Sequence, residues 1–231
     1  MTEDGAVIAA EGVTKVYAGN GVPVEALHGV DLRIRGGEFT AIVGPSGSGK
    51  TTLLNIISGL DACTEGEVRL AGRPLSGLSG RELSDFRRDH IGFVFQAYNL
   101  VPVLSVEENI EYVMLLQGVP KRERRRRVSE ILGMIGLEGF ERRLPPHLSG
   151  GQQQRVAVAR AMVSRPDIIL ADEPTANLDS STSGGLLEMM QGLNETTGMT
   201  FVFSTHDESV MRRARRLVTL HDGRISGDVR Q

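Results

Sequence analysis

The sequence predicts an α/β fold built on a mostly parallel sheet, with a helix-rich stretch inserted into it. Three observations carry that expectation. Apolar strand patterns alternate with helical ones through the last third of the chain, as the crossover connections of a parallel sheet require. "GEFTAIVG" (37–44) runs unbroken into a glycine-rich loop and then into "KTTLLNIISGL" (50–60), whose apolar residues have helical spacing. Between about 97 and 160 the helical patterns dominate, so this stretch reads as an insertion into the sheet domain.

Each element follows in order. "AVIAAEGVTKVY" (6–17) and "VEALHGVDLRI" (24–34) are rich in Val and Leu and read as strands, with "AGNGVP" (18–23) as the turn between them. "GEVRLAG" (66–72) and "HIGFVFQ" (90–96) are further strands. "SVEENIEYVMLL" (105–116) opens with Ser105 and carries Glu108 three residues later, a capping box that starts a helix. "KRERRRRVSEILGMIGL" (121–137) continues as helix, "LPPHLSGG" (144–151) interrupts, and "GQQQRVAVARAMVSRP" (151–166) resumes. Strand "DIILADEP" (167–174), helix "SSTSGGLLEMMQGLNETT" (180–197), strand "MTFVFST" (199–205), a short helix near 207–214 and strand "RLVTLHDG" (216–223) complete the chain.

Bulk properties narrow the function classes. With 231 residues and 40% hydrophobic content, the chain fits one large domain or two intimate lobes, with ample length for a proper core. The net charge of −3 gives no global basic field that would demand nucleic acid as a partner. A single cysteine, Cys63, rules out an intrachain disulfide and a thiolate metal cluster. The start "MTEDGAV" lacks the apolar core of a secretory signal, and no apolar run reaches the roughly 18–20 residues of a membrane span. The charge block "KRERRRR" (121–127) reads first as a solvated helix face, with attraction to anionic lipid or a partner as the alternative.

The chemistry lies in the loops. "GPSGSGKT" (44–51) fits the phosphate-loop pattern G-x-x-x-x-G-K-[ST] between a strand and a helix. Gly44, Pro45, Ser46, Gly47, Ser48, Gly49, Lys50, Thr51 and Thr52 are the expected nucleotide-binding residues. Its glycines let backbone N–H groups turn toward phosphate oxygens, and the helix N-terminus adds partial positive charge. Lys50 is placed to reach the β and γ phosphates, and the Thr51 hydroxyl to ligate Mg²⁺. "IILADEP" (168–174) is an apolar strand ending in two acids. Asp172 is expected to hold Mg²⁺, and Glu173 to polarise the attacking water as general base. Gln96 and His206 fall at the carboxyl ends of two other strands, where a ligand of a parallel sheet sits. Gln96 could touch both Mg²⁺ and the water, and His206 the γ-phosphate. A second phosphate-binding shape stands in "LSGGQQQR" (148–155), where Ser149 and two glycines open a helix.

Taken in order, the phosphate loop, Gln96, "LSGGQQQR", "LADEPTANLD" and "STHD" resemble an ATP-binding cassette (ABC) ATPase subunit over essentially the whole chain. "VYAGNGVPVEALHGVDL", "HIGFVFQAYNLVPVLSVEENI" and "DEPTANLDSSTSG" resemble the branch of lipoprotein release, macrolide export and the cell-division cassette. The resemblance implies a P-loop NTPase core (about 1–96 and 161–231) with an N-terminal antiparallel β subdomain. It also implies a helical subdomain (about 97–160) carrying the signature Leu148, Ser149, Gly150, Gly151 and Gln152. Tyr17 would stack on adenine, and Asp179 would make a contact across a dimer. Gln96 would sense the nucleotide, and His206 would act as the switch histidine. Ser149 and Gly151 would donate to the γ-phosphate of a second copy, with ATP and Mg²⁺ as cofactors and a head-to-tail homodimer as the working form. An integral-membrane permease would be the partner, with no direct nucleic acid, and the subunit would lie in the cytoplasm against the inner face of the membrane. A soluble cassette ATPase outside transport and an ATP-dependent clamp of the cell-division type are the alternatives.

Overall fold

Continuous apolar runs place the centre of the molecule. In the computed structural model, which describes residues 5–18 and 22–231, β3 (Phe39–Val43) is buried at every position, as is β8 (Thr200–Thr205). β7 (Ile168–Asp172) is buried up to its last residue. Strands buried on both faces belong to the interior of a parallel sheet covered by helices. With β6 (Ile91–Val94), β9 (Arg216–His221) and β10 (Arg224–Arg230) they form a six-stranded sheet ordered β10-β9-β3-β8-β7-β6. All neighbours are parallel except the β10–β9 pair. The rings of Phe39 and Phe203 pack 4.7 Å apart at its core.

A second sheet, ordered β2-β1-β4-β5, is antiparallel. It consists of β1 (Ala6–Tyr17), β2 (Val24–Arg35), β4 (Glu65–Leu70) and the two-residue β5 (Arg73–Pro74). Leu27, Val30, Leu32 and Ile34 of β2 turn inward, the alternation of a half-buried strand. They share a core with Leu53, Leu54, Ile56 and Ile57 of α1 (Lys50–Ile57), which lies between the two sheets. The expected α/β class, with an antiparallel sheet from the N-terminal part, is the class found. The turn expected at 18–23 falls partly outside the described residues, as do the first four residues of the acidic start.

Helices α3 (Val106–Leu116), α4 (Lys121–Ile135) and α5 (Gly150–Met162) pack on the other face, and α6 (Ser180–Thr197) and α7 (Glu208–Arg213) follow. The capping box read at Ser105 is present: Glu108 N–H donates to Ser105 Oγ (3.3 Å) and Ser105 N–H to Glu108 Oε2 (2.8 Å). In "KRERRRR", Glu123 takes hydrogen bonds from Arg126 and Arg127, which hold its carboxyl down at about 2. No helix among the described residues is long and apolar enough to cross a membrane.

Besides the two-residue β5 and a 3-10 turn at Pro145–His147, two elements lie outside the sequence reading. α2 (Gly80–His90) buries only Phe86, so its apolar periodicity is nearly absent. Its start was legible all the same, because Ser79 and Glu82 form a complete capping box. β10 is an exposed edge strand with a register shift between Ile225 and Gly227, which breaks the alternation a strand pattern needs.

α5 is seated on β6 through one close approach. A Cβ built on Gly92 would lie 2.3 Å from the Ala161 carbonyl oxygen. Gly92→Ala therefore forces α5 away from β6. Overpacking of this kind costs about 1–3 kcal/mol, so the unfolding temperature is expected to fall by roughly 2–10 °C in calorimetry.

Candidate functional site

The parallel strands deliver their carboxyl ends to one edge, and the loops leaving them enclose a cleft of about 620 Å³. Pro45, Ser46, Gly47, Gly49, Lys50, Thr51 and Thr52 line it from one side, and Gln96, Glu173 and His206 from the other. Sequence positions from 45 to 206 thus converge on one cleft. Ala26 and Ala176 complete the wall.

The loop from β3 to α1 is held tightly. A Cβ on Gly44 would meet the Leu220 carbonyl oxygen at 2.1 Å, so only glycine lets β9 come this near. The Lys50 ammonium is buried and donates to the carbonyl oxygens of Gly44 (2.8 Å) and Pro45 (2.9 Å), which curls the loop around it. An ammonium has three protons, so a further one remains for a ligand. No side chain caps α1. The amides of Lys50, Thr51 and Thr52 find no acceptor among the described residues. A helix start with open donors, beside a buried cation, is an anion site.

Asp172 ends β7 opposite this loop. Its Oδ1 is buried without a hydrogen-bond partner, as is Ser204 Oγ on the next strand. Burial pushes the Asp172 carboxyl up and Glu173 adds to the push, while Lys50 and the Ser204 hydroxyl, near but outside hydrogen-bond geometry, pull against it. An orphaned carboxylate oxygen is a costly group that a cation would satisfy. The described residues include no cluster of three or more His, Cys, Asp or Glu able to hold a metal. An unpartnered carboxylate oxygen suits Mg²⁺, which takes one or two protein oxygens and completes its shell with phosphate and water.

Glu173 has a left-handed backbone, φ 45°, a conformation that costs about 1–3 kcal/mol for a residue of its kind. Its amide donates to Ser204 O (2.9 Å). Its carboxylate contacts the Thr205 hydroxyl (3.1 Å) and His206 Nδ1 (2.7 Å). Gln96 is tied to the turn after β7, since Asn177 Nδ2 donates to its carbonyl oxygen (2.9 Å).

The remaining candidates stand elsewhere on the single chain. Ser149 caps α5: its Oγ accepts from Gln152 N–H (3.3 Å), and its own N–H donates to Gln152 Oε1 (3.0 Å). Leu148 is buried beneath it, and Ser149 is exposed. Gly151 packs on α6, where a Cβ would lie 2.3 Å from Thr182 Cγ2. Asp179 is exposed and caps α6, accepting from the amides and hydroxyls of Ser181 and Thr182; these bonds hold its carboxyl far below the usual range. Tyr17 ends β1 and does not line the cleft; its hydroxyl donates to Asp61 Oδ2 (2.9 Å), with the Lys15 ammonium 4.8 Å from its ring.

Residues 27–176 match the family model described as ABC transporter. The chain belongs to the ABC transporter family. It is an ATPase of that family, and its similarity is to the lipoprotein-release and macrolide-export branch. It is 43% identical over 218 residues to the lipoprotein-releasing system ATP-binding protein LolD of Chromohalobacter salexigens, covering 94% of this chain and 92% of that relative. It is 45% identical over 224 residues to the macrolide export ATP-binding/permease protein MacB of Sodalis glossinidius, covering 97% of this chain but only 34% of MacB. Among solved structures, it matches the dimeric post-hydrolysis state of the cassette MJ0796 from Methanocaldococcus jannaschii, bound to ADP and Pi. That match has a TM-score of 0.87 and 45% identity, over 96% of this chain and 98% of the other.

Three polar residues around the cleft escaped the sequence reading. Thr205, Asp207 and Thr175 form a hydrogen-bonded set beside Glu173. The "STHD" stretch holds Thr205 and Asp207, and "DEPT" holds Thr175, but a Thr or Asp beside a candidate residue has no signature of its own.

The orphaned Asp172 carboxylate makes a pH-dependent prediction. Its folded pKa lies above the unfolded one, so the native state binds more protons between the two values and stability falls as pH rises through that window. Asp172→Asn is expected to raise the unfolding temperature of the nucleotide-free protein at neutral pH. The gain should shrink as pH falls from the raised folded value toward the ordinary carboxylate value, as read by thermal melts across pH.

Proposed function

We propose that this chain is the ATP-hydrolysing subunit of a transporter complex of the lipoprotein-release or macrolide-export type, working as a head-to-tail dimer around two ATP–Mg²⁺. The observation that carries the proposal is the contrast between two helix starts. α1 opens uncapped into the cleft, whereas α5 presents its self-capped Ser149 on an exposed surface outside it. The Ser149 hydroxyl accepts from Gln152, which leaves its proton for an acceptor beyond the chain. A γ-phosphate seated on α1 of a second copy is such an acceptor.

In this reading the open amides of α1 and the Lys50 ammonium bind the β and γ phosphates, and Tyr17 stacks on adenine. Thr51, Asp172 and Gln96 would hold Mg²⁺, which when bound neutralises charge on the β and γ oxygens. Glu173 takes a proton from the water that attacks the γ-phosphorus, the bond to the ADP oxygen breaks, and phosphate leaves. His206 donates to the γ-phosphate from its exposed position, and Asp179 contacts the second copy across the interface. The chain acts as one unit, with 97–160 as a helical arm that passes dimer opening and closing to an integral-membrane permease. It thereby sits against the cytoplasmic face of the membrane without crossing it.

Two substitutions test the composite site. Glu173→Gln removes the base and leaves the phosphate site intact. Hydrolysis should drop by about 10²–10⁴-fold, and an ATP-bound dimer should accumulate in light scattering; a monomer at saturating ATP–Mg²⁺ contradicts the reading. Ser149→Arg places a long side chain on the face meant for the second copy. Binding of a fluorescent ATP analogue should survive while hydrolysis is lost, and a normal rate would refute the trans role of Ser149.

A further inference from the structure

Glu173 and Thr205 meet because their strands are in register. Asp172 of β7 is paired with Ser204 of β8, so the next residues of both strands stand side by side at the sheet edge. Two groups then hold the Glu173 carboxylate. Thr205 Oγ1 lies 3.1 Å from Oε2, and His206 Nδ1 lies 2.7 Å from Oε1. The holders differ in kind: Thr205 is fully buried, while the His206 side chain is 73% exposed. One belongs to the sheet, and the other is free to turn toward a ligand.

A proton count fixes the direction of the buried contact. The Asp207 amide donates to Thr205 Oγ1 (3.0 Å). A hydroxyl carries one proton and an ionised carboxylate only accepts, so the Thr205 proton lies on the Glu173 side. Asp207 is itself anchored. Its Oδ1 accepts from Ser209 N–H (2.8 Å), and its Oδ2 from the hydroxyl of Thr175 (2.8 Å). Thr175 is buried two residues beyond Glu173, so the bonds run from Glu173 through Thr205 and Asp207 back to the same turn.

We propose that Thr205 is a positioning residue for hydrolysis, whose buried hydroxyl holds Glu173 Oε2 so that Oε1 alone meets the attacking water once His206 turns to the nucleotide. The inference rests on Glu173 being the base. The water proton passes to Oε1 as oxygen bonds to the γ-phosphorus and the ADP oxygen leaves. Thr205 keeps its proton throughout and touches neither water nor nucleotide.

The test compares Thr205→Val, which keeps the shape and removes the hydroxyl, with Thr205→Ser, which keeps it. Steady-state hydrolysis is measured at saturating ATP–Mg²⁺. Thr205→Val should lower kcat about tenfold, a fraction of a full general-base effect, with KM for ATP within about twofold of the parent, and Thr205→Ser should recover most of the loss. In a Glu173→Gln background, Thr205→Val should add less than about twofold, because residues acting as a unit are not additive. Full kcat in Thr205→Val overturns the inference, and so does an undiminished tenfold loss in the Glu173→Gln background. A variant that only loses thermal stability and raises KM, with kcat intact, also overturns it by reducing Thr205 to a brace. If Glu173→Gln alone hydrolysed at the full rate, the base assignment would fall first and this inference with it.

Discussion

The open N-terminus of α1 is the constraint on which the rest of the site depends. A helix begins with amide donors that need acceptors, and α2, α3, α5, α6 and α7 meet that need with Ser79, Ser105, Ser149, Asp179 and Asp207, while α4 starts behind Pro120 without a side-chain cap. At α1 no side chain does so, and the Lys50 ammonium is folded inward beside the open donors. Such a helix start lacks part of its stabilisation until an anion arrives. The fold accepts that cost because α1 is wedged between two sheets by Leu53, Leu54, Ile56 and Ile57. Packing supplies what capping does not.

The same logic runs through the opposite wall. Asp172 keeps a buried oxygen without a partner, and Glu173 keeps a left-handed backbone. Both are tolerable because β7 is pinned between β6 and β8, where Ile168, Ile169, Leu170 and Ala171 are almost wholly buried. Strain and unsatisfied polarity gather where a rigid sheet ends. α5 then links this edge to α3 and α4. Gln154 donates to the carbonyl oxygens of Phe95 and Pro174, and Arg160 to those of Tyr98 and Asn99, both in left-handed conformations. The loop after β6 is thus tied directly to the helix whose exposed end carries Ser149.

Most of this was legible in the sequence, for definite reasons. Central strands such as "FTAIV" and "TFVFST" announce themselves as unbroken apolar runs, and the phosphate loop by glycines between strand and helix. α2 and β10 were missed because exposure weakens periodicity: α2 buries one side chain, and β10 is a shifted edge. The loop candidates Gln96, Glu173 and His206 were found as residues following apolar strands. The network of Thr175, Thr205 and Asp207 was not, since it exists only through the register of β7 against β8. Tyr17 was named by resemblance, and in the single chain its hydroxyl is engaged by Asp61 outside the cleft.

The central claim is that one catalytic site is assembled from two chains, and mixing measures it directly. Lys50→Ala damages the phosphate side, Ser149→Ala the signature side, and each variant alone should be nearly inactive. In a mixed dimer both lesions fall in one site and leave the other whole, so an equal mixture should recover roughly a quarter of the parent hydrolysis by random pairing of a symmetric dimer. Hydrolysis no greater than the sum of the separate variants, in a mixture shown to contain the mixed dimer, would contradict a site shared between chains.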